Sequence, residues 1–146
     1  MLIRQMQEED MDQVYTIESN SFSRPWSRDS FLQSLRNQNN LYLVVEEEGR
    51  ILGYCGLWGI VGEGEITNVA VDARYRNQGV GEVMLGELLR QAREAGIEAF
   101  TLEVRLSNVS AIHLYHKLGF QDTAIRKNYY DAPVEDALIM WLYFPL

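Results

Sequence analysis

The fold is decided by one stretch, Val71-Asp72-Ala73-Arg74-Tyr75-Arg76-Asn77-Gln78-Gly79-Val80-Gly81-Glu82. An alternating apolar segment precedes it and a long amphipathic segment follows, so the sequence predicts a strand, a glycine turn and a helix. Glycine at such a junction lets the backbone approach a ligand closely. The first N–H groups of the helix lack intrahelical acceptors and lie at the positive end of its dipole. The stretch therefore predicts either an anion-binding loop or a tight turn whose glycines serve steric purposes alone.

Two common phosphate-binding motifs do not match this loop. Met84 stands where a dinucleotide fingerprint has its third glycine, and no Gly-Lys-Ser or Gly-Lys-Thr follows. Arg74 and Arg76 add positive charge to a chain whose net charge is −8. We therefore expect any bound polyanion to be met locally, by backbone N–H groups and these arginines.

The rest of the chain alternates between strand-like and helix-like segments. The predicted elements are a strand at 2–6, a helix at 10–19, a short helix capped by Ser27, strands at 41–46 and 50–58, a turn at 62–64, a strand at 65–71, a helix at 78–95, a strand at 99–105, a helix at 107–118 capped by Ser107, and strands at 120–127 and 137–142. This order, β-α-α-β-β-β-α-β-α-β-β, predicts an α/β fold. We expect a single twisted mixed β-sheet with helices on both faces.

Length and composition limit the possible classes of protein. A chain of 146 residues is most simply one domain, 1–146. No apolar run is long enough to span a bilayer, and Cys55 is the only cysteine, so we expect a cytoplasmic protein without a disulfide or a membrane partner. The acidic balance argues against direct nucleic-acid binding and favours a basic protein or an amine as partner. We expect no metal ion.

Three polar residues after the loop are candidates for catalysis. Glu103 lies mid-strand in a sheet expected to be covered on both sides, where a carboxylate needs a reason such as general-base work. The alternative is a Glu103–Arg105 pair at a solvated strand end. Asn108 and Tyr115 are seven residues apart, close to two helical turns, so they share one stripe that suits an elongated polar ligand. The alternative is a capping Asn and a core Tyr.

The loop resembles a known family. Arg76-x-x-Gly79-x-Gly81, preceded by Asn68-Val69-Ala70-Val71-Asp72, resembles the acetyl-CoA loop of the GNAT N-acetyltransferases. The resemblance implies that the strand before the loop splays from its neighbour and pairs with the pantetheine arm of acetyl-CoA, while the loop wraps the pyrophosphate. The cofactor-binding residues that it implies are Val69, Ala70, Val71, Arg76, Asn77, Gln78, Gly79, Val80, Gly81, Glu82 and Asn108. Glu82 departs from expectation, because it places a negative charge where the phosphates should lie.

A second set of segments narrows the resemblance. Leu102-Glu103-Val104-Arg105-x-Ser107-Asn108-x-x-Ala111-Ile112-x-Leu114-Tyr115-x-x-Leu118-Gly119-Phe120 is similar to the RimI-type ribosomal-protein alanine N-acetyltransferases, as are residues 25–27, 126–130 and 135–137. That similarity implies direct transfer to the N-terminal alanine of a small-subunit ribosomal protein, with Glu103 as general base and Tyr115 as general acid. Tyr129, Tyr130 and Trp26 are candidates for the substrate groove, or for packing on the sheet and plugging the core.

Two other functions stay open at this point. A GNAT enzyme for a small amine or a lysine side chain would keep the same loop and differ only in its substrate groove. A noncatalytic acyl-CoA-binding regulatory module would need neither Glu103 nor Tyr115, and the presence of both argues against it.

Overall fold

The computed structural model of the protein describes residues 1–145. The elements are β1 (Leu2–Gln5), α1 (Met11–Ser21), α2 (Arg28–Arg36), β2 (Asn40–Glu47), β3 (Arg50–Ile60), β4 (Glu63–Val71), α3 (Val80–Glu94), β5 (Ala99–Arg105), α4 (Val109–Leu118), β6 (Gln121–Tyr130) and β7 (Glu135–Tyr143). The predicted order of strands and helices is confirmed. Within residues 1–145, no helix combines the length and the apolar character needed to cross a bilayer.

All seven strands form one mixed sheet in the order β1-β2-β3-β4-β5-β7-β6. Among residues 1–145, the one parallel contact joins β4 to β5, and it covers only three positions, residues 63–65 of β4 against 99–101 of β5. Beyond those positions β4 stays paired with β3 while β5 stays paired with β7. The two strands therefore part, which confirms the expected splay before the glycine loop.

Helices pack on both faces of this sheet and create two apolar clusters. One cluster joins α3 to the sheet and includes Met84, Leu88 and Phe100, all fully buried. The other joins α1 and α2 to the opposite face and includes Val14 and Phe31. The predicted α/β class with helices on both faces is thus confirmed, and the gap between β4 and β5 lies where the two halves of the sheet meet.

Several predicted boundaries are corrected by the structure; the strand predicted at 120–127, for example, is β6 and extends to Tyr130. Helix α3 begins at Val80 rather than Gln78, because the residues before it form a left-handed turn. Helix α4 is capped by Asn108 rather than Ser107, since the Asn108 side chain accepts a hydrogen bond from the Ala111 N–H at 3.3 Å. The turn predicted at 62–64 is tighter than expected, since β4 already begins at Glu63.

Candidate active site

A cleft of about 640 Å³ opens where β4 and β5 part. Its walls come from these two strands, from the segment after α1, from the start of α4 and from the β6–β7 turn. The predicted residues that line it are Trp26, Val69, Glu103, Asn108, Tyr115, Tyr129 and Tyr130. Residues from distant parts of the chain are therefore brought into one site, although the role of each stays a prediction.

Glu103 projects into this cleft from the middle of β5. Its side chain is 22% exposed, and Arg126 on β6 approaches it with Nη1 3.5 Å from Oε2. The alternative of a Glu103–Arg105 pair is wrong, because Arg105 instead contacts Glu135 at 3.2 Å and the carbonyl oxygen of Asp131 at 2.8 Å. The Glu103 carboxylate therefore faces the cleft, with the Arg126 guanidinium in loose contact beside it.

Tyr115 lies on α4 and is almost fully buried. Its ring packs on Phe120 with centroids 5.9 Å apart. Burial raises the pKa of the Tyr115 phenol well above its ordinary value of 10. Asn108 caps the same helix, so the interpretation as a capping Asn and a core Tyr is right in structural terms. Both residues nevertheless line the cleft, and the phenol there is a permanent hydrogen-bond donor near neutral pH.

Tyr129 and Tyr130 end β6 beside Glu103. Their rings meet edge to face, with centroids 5.0 Å apart, and the Arg105 guanidinium lies 4.5 Å from the Tyr130 centroid. Burial, with the Glu103 carboxylate as a second cause, raises the pKa of Tyr130 to about 12. Both phenols therefore stay neutral near pH 7 and give the cleft an aromatic wall with hydrogen-bonding edges.

Trp26 closes another side of the cleft and also packs in the core. Its ring contacts Phe31 and Trp58 at centroid distances of 5.3 and 5.7 Å, so the two interpretations made from the sequence are compatible. The backbone N–H of Trp26 donates to Glu18 Oε2 at 2.9 Å, and the Tyr54 hydroxyl donates to the other oxygen of that carboxylate. This arrangement fixes the segment that follows α1.

Sequence reasoning missed Glu18, Arg24 and Asp131 as lining residues. Glu18 is only 2% exposed, and a glutamate on the apolar stripe of the first helix was the signal that could have revealed it. Arg24 and Asp131 pair at 2.9 Å and join the segment after α1 to the β6–β7 turn. They are 107 positions apart in the sequence, so no local pattern could have linked them.

The glycine loop takes the form that an anion site requires. Asn77 and Gly79 have positive φ angles of 61° and 82°, and this left-handed turn immediately precedes α3. The first helical bond runs from the Val83 N–H to the Gly79 carbonyl, so the N–H groups of residues 79–82 have no intrahelical acceptor. Arg76 is held against the Val71 carbonyl at 3.1 Å, while Arg74 is paired with Asp72 at 2.9 Å.

Glu82, the residue that departed from expectation, is neutralised by a distant partner. Its carboxylate lies 2.9 Å from the Lys117 ammonium of α4. The negative charge at the start of α3 is therefore balanced by a lysine 35 positions later in the chain. The ion pair therefore offsets the negative charge of Glu82 beside the positive end of the helix dipole.

Residues 10–120 match the model of the acetyltransferase (GNAT) family. The chain belongs to the GNAT acetyltransferases. A Bacillus subtilis relative, named provisionally as a ribosomal protein bS18-alanine N-acetyltransferase, is 45% identical over 96% of this chain and 93% of its own length. The Escherichia coli protein of that name is 35% identical over 96% of this chain and 95% of its own length.

Similar solved structures indicate the same family as these sequence relatives. The Escherichia coli ribosomal-protein-S18-alanine N-acetyltransferase superimposes with a TM-score of 0.91 at 32% identity, covering 99% of this chain and 94% of that one. Ard1 from Thermoplasma volcanium superimposes with a TM-score of 0.90 at 30% identity, covering 97% and 96% of the two chains. The resemblance to the RimI-type GNAT enzymes, drawn from the sequence motifs, is confirmed.

The GNAT cosubstrate, acetyl-CoA, fits the residues present. Past residue 65 the edge of β4 that faces β5 no longer pairs with it, so the backbone at Val69 is left for an extended amide-containing chain, while the Val71 carbonyl already accepts from Arg76. Residues 72–79 connect this strand to α3, whose first N–H groups have no intrahelical acceptor and suit a pyrophosphate. The strand and the loop together match a ligand that is peptide-like at one end and anionic at the other.

Proposed function

We propose that this enzyme transfers the acetyl group of acetyl-CoA to the α-amine of the N-terminal alanine of ribosomal protein bS18. The observation that carries the proposal is that Glu103 and Tyr115 line the same cleft at the point where β4 and β5 part. The names of the relatives supply the substrate. The net charge of −8 supports a basic protein as partner, because an acidic field attracts cationic chains.

Glu103 acts as the general base. An α-ammonium group titrates near 8, so a carboxylate, acting directly or through water, suffices to remove its proton near neutral pH. A lysine ammonium titrates near 10.4, which would add roughly 3 kcal/mol to the deprotonation. Arg126 lies 3.5 Å from the carboxylate, a loose contact that leaves Glu103 facing the cleft. The site therefore favours an α-amine over a lysine side chain.

Tyr115 serves the departing thiolate. Acetyl-CoA supplies the acetyl group as a thioester, and its sulfur gains negative charge as the amine attacks. Because burial raises the pKa of Tyr115, full transfer of its proton to a thiolate is more than about 2 kcal/mol uphill. The phenol therefore stabilises the sulfur chiefly by donating a hydrogen bond, which is strengthened in a buried site. No nucleophilic cysteine is needed, and Cys55 is fully buried.

The proposal is tested by acetyl-CoA turnover with three peptides. The first begins with the N-terminal residues of bS18, starting at alanine. The second has the same sequence with a blocked N-terminus and free lysines, and the third begins with a bulky residue. We expect acetylation of the first alone, located at the α-amine by mass spectrometry. Glu103→Gln should lower kcat/KM by about 100-fold or more. Glu63→Gln, a change of an exposed carboxylate at the start of β4 that does not line the cleft, should stay within about twofold.

Other outcomes would select another function. Turnover of a polyamine, or of the blocked lysine peptide, without acetylation of the free alanine peptide would place this enzyme among small-amine or lysine acetyltransferases. Acetyl-CoA binding without turnover of any amine, together with normal cell function of a Glu103→Gln, Tyr115→Phe double variant, would indicate a regulatory module.

A further inference from the structure

Asn68 occupies an unusual place on β4. The strand carries a bulge at Thr67, since Gly56 of β3 pairs with Asn68 while the next residue, Leu57, pairs with Ile66. In a regular strand Ile66 and Ala70 would face the same side of the sheet. Because of the bulge they face opposite sides: Ile66 packs in the cluster beneath α3, whereas Ala70 packs in the cluster beneath α1 and α2. Asn68 lies two positions before Ala70 and therefore points to the α1 face.

The Asn68 carboxamide is buried without a full set of partners. The residue is 5% exposed, and its Oδ1 is the one buried side-chain nitrogen or oxygen within residues 1–145 that has no hydrogen-bond partner. Neighbouring polar groups are satisfied: the Thr67 hydroxyl bonds to the Tyr42 hydroxyl at 3.0 Å, and the Glu18 carboxylate receives two donors. A buried amide oxygen without a donor destabilises the fold.

The position of Asn68 indicates which group donates the missing hydrogen bond to its Oδ1. Asn68 lines the same cleft as Glu103 and Tyr115, and it directly precedes Val69, where the strand is predicted to pair with the pantetheine arm of acetyl-CoA. Glu103 reaches the cleft from β5, the strand on the other side of the gap from β4. An amine bound between the two strands carries more than one N–H group. One of them gives its proton to Glu103, and another can meet an acceptor on β4.

We propose that Asn68 is a positioning residue for the attacking amine: its Oδ1 accepts an N–H of the substrate and turns the nitrogen lone pair toward the thioester carbon. This proposal rests on the proposed acetyl transfer and adds a residue to it. The hydrogen bond forms only when the amine arrives, so the free protein carries an unsatisfied acceptor that the substrate completes. Any primary amine acetylated in this cleft would use the same contact.

The experiment compares Asn68→Leu and Asn68→Ala with the unaltered enzyme. The leucine variant keeps the side-chain volume and removes the unsatisfied oxygen, so its melting temperature should be equal or higher. Its kcat/KM for the alanine peptide should fall by about 10- to 100-fold, the effect of leaving a substrate donor unpaired. The dissociation constant for acetyl-CoA should stay within about twofold. Asn68→Ala should show the same loss of activity in a slightly less stable protein.

Three results would overturn the role of Asn68. Unchanged kcat/KM in both variants would mean that Oδ1 meets water or nothing. A loss confined to acetyl-CoA affinity would assign Asn68 to the cofactor. Failure of Asn68→Leu to fold, or a lower melting temperature in both variants with proportional loss of active protein, would make the amide structural. If the alanine peptide is not a substrate but another amine is, the same comparison with that amine still tests Asn68 independently of the proposed function.

Discussion

At the scale of single residues, the burial of Tyr115 predicts how the activity of Tyr115→Phe depends on pH. Burial raises its pKa above the ordinary value of 10, so the phenol holds its proton throughout the range from pH 6 to 9. Tyr115→Phe should therefore lower kcat by about 10- to 1,000-fold at every pH, without changing the shape of the profile. The measurement is kcat and kcat/KM for the alanine peptide at intervals of half a pH unit.

Tyr143→Phe is the matched control, because Tyr143 is an exposed phenol on β7 outside the cleft. Its kinetics should equal those of the unaltered enzyme. An alkaline limb below pH 9 that disappears only in Tyr115→Phe would show that the phenol titrates during turnover, contrary to the direction of its pKa shift.

At the scale of elements, the start of α3 depends on one left-handed residue. Gly79 has a φ of 82°, and an alanine there would cost about 1 kcal/mol and move the N–H groups that open the helix. Gly79→Ala should lower the free energy of unfolding and weaken acetyl-CoA binding by about 3- to 10-fold. Gly86→Ala is the control: Gly86 lies within α3 with open space around it, so this change should stabilise by roughly 0.5–1 kcal/mol. If both variants changed the free energy of unfolding in the same direction, or if Gly79→Ala bound acetyl-CoA with unchanged affinity, the role of the turn would be contradicted.

The strands and helices also show how much of the fold the sequence predicts. The strands, helices and glycine stops follow from local periodicity and capping, so their order was predictable and Gly119 ends α4 as expected. The cap of α4 was misplaced by one residue because Ser107 and Asn108 are both good caps, and the Ser107 N–H instead donates to Glu135 on β7. The balance of Glu82 by Lys117 and the missing partner of Asn68 depend on tertiary contacts, which no local pattern encodes.

At the scale of the whole molecule, an ion network ties the first strand to the sheet and to α1. Arg4 contacts both Asp10 and Glu46 at 2.8 Å, and the Asp10 side chain is 8% exposed. Burial alone would raise the pKa of Asp10, but the Arg4 guanidinium and the Gln7 N–H outweigh it and hold that pKa below 3.8. Because the folded pKa lies below the unfolded value, Asp10 stabilises the fold fully above about pH 4 and progressively less as pH falls through its folded pKa.

The expected consequence is a loss of stability in acid that depends on this one carboxylate. Asp10→Asn should lower the free energy of unfolding at pH 7 by about 1–3 kcal/mol, since Arg4 loses a partner in a poorly solvated place. Between pH 4 and 2 the stability of the variant should decline less steeply than that of the unaltered protein. Urea unfolding at a series of pH values measures both effects. Asp12→Asn is the control, because Asp12 is 83% exposed in its pair with Arg28 and should change stability by less than about 1 kcal/mol. Parallel curves for the Asp10 variant and the unaltered protein would show that the acid sensitivity arises elsewhere among the carboxylates.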